Sequence, residues 1–192
     1  MKKLIMAAAV AVVSIAANAA SINWTITNIY QPGSTADKIA TGNGLVYIFC
    51  AQDVASSAVI AALSDTTTTL AEKSTFMSGN SIGSSALTGD GRVATSTAWT
   101  KTAGDYTFYG VILADNALAE NGKYAVSTVT ASYGWDNSSD TGVSLGNQKT
   151  LTQTASNWAT VATSGSSPIP EPTSGLLLVL GVAGLALRRR RA

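Results

Sequence analysis

The chain of 192 residues contains no histidine, a single cysteine and only 12% charged residues. Without imidazole, Ser-His-Asp and Cys-His nucleophiles, HExxH zinc sites and most transition-metal centres are excluded. One cysteine cannot close an intramolecular disulfide, so apolar burial has to hold the fold together. Cys50 sits in the apolar run 45–51 and reads as a small buried hydrophobe. A thiol nucleophile there would also lack its usual base. No apolar run reaches the roughly 20 residues that a permanent membrane span needs. Phosphate-binding loops and repeats of solenoid or propeller period are also missing. The acidic residues are scattered and give no local signature of a paired-carboxylate hydrolase.

What remains is a hydroxyl-rich body between two ends of different composition. From Ala20 to Ser167 there are six basic residues against ten acidic ones, a net charge of −4 that the whole-chain value of +1 conceals. Such a body lacks the basic footprint of a nucleic-acid binder, so DNA and RNA are not expected partners. Its length suits one domain with its own core. The 43 serines and threonines in this stretch favour short strands and turns over long helices.

Periodicity supports that reading. Ile22, Trp24 and Ile26 alternate with Asn23, Thr25 and Thr27, the pattern of a strand with one face in the core. Residues 45–51 and 106–113 are apolar on both parities, as expected of central strands covered on two sides. Asp90-Gly91, Ala103-Gly104 and Asn121-Gly122 punctuate the segments that follow, and 143–145 and 150–161 supply the last strands. One stretch departs from this rhythm: Asp53 is placed to cap a helix through Leu63, and a second helical turn follows Asp65 through Leu70 to Phe76. The expected fold is mainly β. It is a single antiparallel β-sandwich-like domain over 20–162, with one or two short helices crossing between strands two and three. The Ser/Gly-rich stretch 163–168 reads as a flexible tether, expected to be disordered.

Lys2 and Lys3, the apolar segment 4–17 and the small-residue pattern Ala17-Asn18-Ala19 compose a secretory signal peptide over 1–19, with Ala20 the first mature residue. Signal peptidase is the partner this predicts. At the other end, Pro170-Glu171-Pro172 precedes an apolar run over 175–187 and four arginines, Arg188, Arg189, Arg190 and Arg191. As a helix, thirteen residues reach roughly 20 Å, short of the roughly 30 Å hydrocarbon core. The arginines resist crossing and hold the tail's end cytoplasmic, leaving everything before it on the far side. Proline at 170 and 172 keeps Glu171 in a non-helical segment just ahead of the membrane.

This arrangement over 169–192 resembles the PEP-CTERM protein-sorting signal of Gram-negative bacteria, with Ile169 where the family often has valine. The resemblance implies recognition of Pro170, Glu171, Pro172 and the arginine cluster by an exosortase, an integral-membrane processing enzyme. It further implies a transmembrane-like C-terminal helix held transiently in the inner membrane, and delivery to the cell surface or an exopolysaccharide matrix. It says nothing of the body.

Within the body, Asp136, Ser138 and Asp140 place oxygen groups at alternate positions and are candidate calcium ligands. The expected glycine and glutamate of a calcium loop are replaced by Thr141 and Asn147, and a strand-connecting loop is the simpler reading. Trp99, Tyr133 and Trp135 lie near strand ends, where they either stack on a sugar or close the end of the core. No cofactor is expected. The leading expectation is an exported, non-enzymatic cell-surface or extracellular-matrix protein, with exopolysaccharide as a candidate partner; the alternatives are a secreted carbohydrate-binding module and a secreted hydrolase.

Overall fold

A computed structural model of the chain describes residues 20–136, 140–147 and 158–164. The expected signal peptide, Ser138, most of the segment 150–161 and the sorting tail lie outside these residues. The strands are β1 (Ser21–Thr27), β2 (Leu45–Cys50), β3 (Gly83–Ala86), β4 (Val93–Ala98), β5 (Gly104–Tyr106), β6 (Phe108–Leu113), β7 (Lys123–Val126), β8 (Tyr133–Trp135), β9 (Thr141–Asn147) and β10 (Ala159–Thr160). Helices α1 (Ser56–Ser64) and α2 (Leu70–Asn80) separate β2 from β3, as the sequence pattern predicts. The protein is mainly β.

A five-stranded sheet runs in the order β10-β7-β6-β2-β3, and a three-stranded one in the order β4-β1-β9. Strands β5 and β8 form a separate pair. Every pairing in the larger sheet is antiparallel. The smaller sheet is mixed: β1 pairs antiparallel with β4 but parallel with β9, the one parallel pairing among the described strands of a mainly antiparallel fold. A parallel neighbour needs a long crossover rather than a tight turn, so no local signal announces it. The three dipeptide punctuation marks have different outcomes. Asp90-Gly91 forms the tight turn closing the Gly89–Arg92 bridge, with Gly91 at φ 61°. Asn121-Gly122 lies in the connection between the paired strands β6 and β7. Ala103-Gly104 joins no pair; it leads into β5, which pairs with β8.

The two parities of the central strands explain the layers. Val46, Ile48 and Cys50 of β2 and Phe108 and Ile112 of β6 share an apolar cluster with Ile22, Trp24 and Ile26 of β1 and Val143 and Leu145 of β9. The opposite parity, Tyr47, Phe49, Tyr109, Val111 and Leu113, packs with Val59 and Leu63 of α1 and Met77 of α2. The larger sheet is therefore buried on both faces, by the smaller sheet and by the helix pair. Two glycines admit the close approach of the sheets. A Cβ at Gly83 of β3 would stand 2.6 Å from Cγ2 of Thr97 on β4, and one at Gly110 of β6 would stand 3.1 Å from Leu145 Cδ1 on β9.

Helix α2 opens with a reciprocal capping box: Thr69 Oγ1 accepts from the Glu72 amide, and the Glu72 carboxylate accepts from the Thr69 amide. Helix α1 begins after Ala55 without a side-chain cap. Asp53, expected to cap it, instead pairs with Lys101 at 2.5 Å. A cationic partner brought in from a distant loop outcompetes the exposed helix amides for that carboxylate.

Candidate functional site

Two places bear on function: where the chain leaves the domain toward its tail, and where it enters. At the exit, Trp158 and Val161 are buried in the two apolar clusters, and β10 pairs with the edge of β7. The Val161 carbonyl accepts from the Asn121 amide at 3.0 Å, and its amide donates to the Gly122 carbonyl at 2.9 Å. Ala162 is held on both sides. Its amide donates to the Leu63 carbonyl at 2.9 Å, and its carbonyl accepts from Lys73 Nζ at 2.6 Å. Lys73 is only 2% exposed. Burying an ammonium costs several kcal/mol unless it is partnered, so committing it to one backbone carbonyl marks that carbonyl as a fixed point. Ser164, assigned to the tether by composition, still donates its hydroxyl to Glu120 at 2.8 Å. Pro170 is six positions beyond Ser164. Fully extended, that many residues span about 20 Å, so the sorting motif cannot lie farther than this from its root.

At the entry, Ala20 and Ser21 are both held in place. Ala20 is buried, its carbonyl accepts from the Trp99 amide at 3.2 Å, and the Ser21 amide donates to Asp140 Oδ1 at 2.9 Å. Asp140 is one of the three candidate calcium ligands. Hydrogen bonds from Ser21 and Asn23 hold its carboxyl below the usual aspartate value, so it serves β1. Asp136 is exposed and lines a shallow hollow of about 330 Å³ with Asp105, Trp135 and Thr141. Among the described residues no three His, Cys, Asp or Glu side chains come together as a metal site.

The aromatic residues close the core. Trp135 is 3% exposed and donates its indole N–H to the Lys101 carbonyl at 3.2 Å. Trp99 meets Trp135, Tyr106 and Phe108 edge-on, at ring separations of 4.9, 5.0 and 5.6 Å. At 3% exposure Trp135 has little ring surface to offer a sugar.

Sequence reasoning missed one feature, a groove of about 540 Å³ at the loop end of the larger sheet. Its lining includes apolar Ile39 and Ala114 and polar Gln31, Asn43, Asp115, Asn116, Asn121 and Lys123. That volume falls within the roughly 300–1,000 Å³ of small-ligand sites. In the sequence these residues belong to three separate turns, where Asn and Asp are ordinary turn formers. Only the fold brings them together.

Residues 168–191 fit the family model of the PEP-CTERM protein-sorting motif. No curated protein and no solved structure matches the chain. The motif implies an exported protein, held transiently at a membrane and handled there by an exosortase-type processing enzyme. No helix among the described residues is long and apolar enough to cross a membrane.

Proposed function

We propose that the protein is an exported, non-enzymatic component of the cell envelope or extracellular matrix. In this reading signal peptidase removes residues 1–19, an exosortase acts on the tail, and the two facing sheets form a β-sandwich that is the delivered product. The observation carrying the reading is the sorting motif at 168–191, beginning only a few residues beyond a chain exit pinned by Lys73. The absence of histidine from the whole chain supports a non-catalytic body. Glu171→Gln keeps the size of the side chain and removes its charge. We expect this variant to accumulate in the inner-membrane fraction with its tail attached. Secretion at the unsubstituted level would count against the reading.

A second reading, a carbohydrate-binding module, is favoured by the groove. Its four side-chain amides each present a donor and an acceptor suited to vicinal hydroxyls, and its one acid and one base balance in charge. A glycan array compares the unsubstituted protein with the Asn43→Ala/Asn116→Ala double variant. Binding lost in the variant supports this reading, and no binding by either protein removes it.

A further inference from the structure

The edge of a sheet leaves backbone N–H and C=O groups unpaired, and folded proteins blunt such edges with charges, proline, bulges, shortness or a covering segment. The edges of this fold differ in how far they are blunted. β10 is only two residues long. β9 is approached on its outer side by β8, whose Tyr133 hydroxyl oxygen accepts from the Ser144 amide at 3.3 Å. β4 runs for six residues, Val93–Ala98, and β1 is its partner on one side only among the described strands. It contains no charge and no proline, and its register with β1 is continuous, without a bulge. β3, an edge of the larger sheet, is Gly-Ser-Ser-Ala and equally uncharged. The turn through 87–92 carries the chain from β3 to β4, and the two edges lie on one flank, close enough that Gly83 faces Thr97.

The ladder shows which backbone groups of β4 are free. The Trp99 amide donates to the Ala20 carbonyl, so positions 97, 95 and 93, which alternate with it, also turn their N–H and C=O groups toward β1. Residues 94, 96 and 98 then turn theirs outward. The Ala94 amide agrees with this parity, for it donates to Thr88 Oγ1 at 3.0 Å rather than into the sheet. Left facing outward are the Ala94 carbonyl and both backbone groups of Ser96 and Ala98, the last two being exposed residues. An extended strand laid alongside completes such a row.

We propose that β4 is the docking edge for a second copy of this chain, paired antiparallel about a two-fold axis that passes beside Ser96 normal to the sheet. Self-complementarity selects this occupant. About that axis each Ser96 amide meets the Ser96 carbonyl of the second copy, and each Ala98 amide meets an Ala94 carbonyl. The Ala98 carbonyl is left to water, because the Ala94 amide opposite it is held by Thr88. The same axis carries β3 toward β3, so both sheets continue across the interface. Alanine and serine at the pairing admit the usual strand spacing of about 4.8 Å, and no like charges are brought together. An isologous pairing consumes the edge on both copies and closes the assembly as a dimer. Two short edges bury less than the roughly 1,200 Å² of a standard interface, so the dimer is a reversible one. The inference rests on strand order and is independent of the sorting reading.

The test is sedimentation velocity of the full-length chain in mild detergent over a concentration series, comparing the unsubstituted protein with Ser96→Thr and Ser96→Pro. Ser96→Pro removes the central amide and leaves the ladder to β1 intact, since that amide points outward. Near-UV circular dichroism checks that each variant is folded. We expect reversible dimerisation of the unsubstituted protein and of Ser96→Thr, weakened about 30-fold or more in Ser96→Pro, the worth of the two central hydrogen bonds. Association through the apolar ends of the chain would survive the proline, so an undiminished dimer in folded Ser96→Pro overturns the proposal. A monomer at every concentration overturns it as well. Cross-linking gives a reading that does not depend on the proline variant. In Ser96→Cys the two Cα atoms stand about 5.5 Å apart at the axis, within disulfide reach. Cys50 is 1% exposed and does not compete. Mild oxidation should join Ser96→Cys copies and not those of Ser57→Cys, an exposed position on α1. Cross-linking at 96 no greater than at 57 overturns the proposal.

Discussion

Two buried side chains carry the clearest consequences at the scale of single residues. Lys73 was one of six scattered basic residues in the body, and nothing around it in sequence distinguishes it from a solvated lysine. Its position facing Ala162 is set by the packing of α2 against the end of the chain, a contact between residues 89 apart. Lys73→Ala removes the partner of the Ala162 carbonyl and the buried stem, and we expect a loss of about 2–3 kcal/mol in urea unfolding. Lys73→Met keeps the stem and should lose less. Equal stability of all three proteins would mean that the exit is not held there. Tyr109 is fully buried and donates its hydroxyl to the Val54 carbonyl at 2.8 Å. Burial pushes its phenol from the ordinary 10.0 up to about 12. A raised folded value means that the unfolded chain gives up this proton first, so the stabilisation is complete below pH 10 and disappears as pH rises through about 12. Tyr47 and Tyr124, also raised by burial, act in the same direction. Urea midpoints measured between pH 8 and pH 12 should fall steeply above 10 and less steeply in Tyr109→Phe. Parallel slopes would contradict this account.

At the scale of elements, the strands that the sequence marks most clearly are those with most to bury. The alternation at 22–26 and the two-sided apolar runs at 45–51 and 106–113 became β1, β2 and β6, because each pattern matches one or two buried faces. Pairing was less legible. The parallel partner β9 and the β5–β8 pair depend on contacts between distant segments, which no turn dipeptide records. Helix starts were less legible: the second helix begins at the Thr69–Glu72 box rather than directly after Asp65, and Asp53 was lost to a lysine 48 residues away. The fit between the two sheets gives a sharper test. Gly83→Ala would press a methyl group against Thr97, whose hydroxyl accepts the Trp24 indole N–H at 3.1 Å. We expect thermal unfolding to show a loss of about 1–3 kcal/mol. An unchanged melting temperature would mean that the sheets can separate at this edge without cost.

At the scale of the whole molecule, the folded body fits tightly between its two ends. Among the described residues it is buried already at Ala20 and still hydrogen-bonded at Ser164. Address and body were legible to different degrees. Pro170-Glu171-Pro172, the apolar run and the arginines are contiguous, and membrane physics fixes their order, so the sorting reading came from sequence and the match at 168–191 agrees with it. The groove could not be read that way, because Gln31, Asn43 and Asn116 converge only after folding. The central claim is that this body is released between two processing events. Intact mass of the exported protein tests it most directly, with a parallel sample from cells lacking the exosortase. The account predicts a chain starting at Ala20 and lacking Arg188–Arg191 in the first sample, and a chain still carrying the arginines in the second. Exported protein that retains Ala192 in both samples would contradict it.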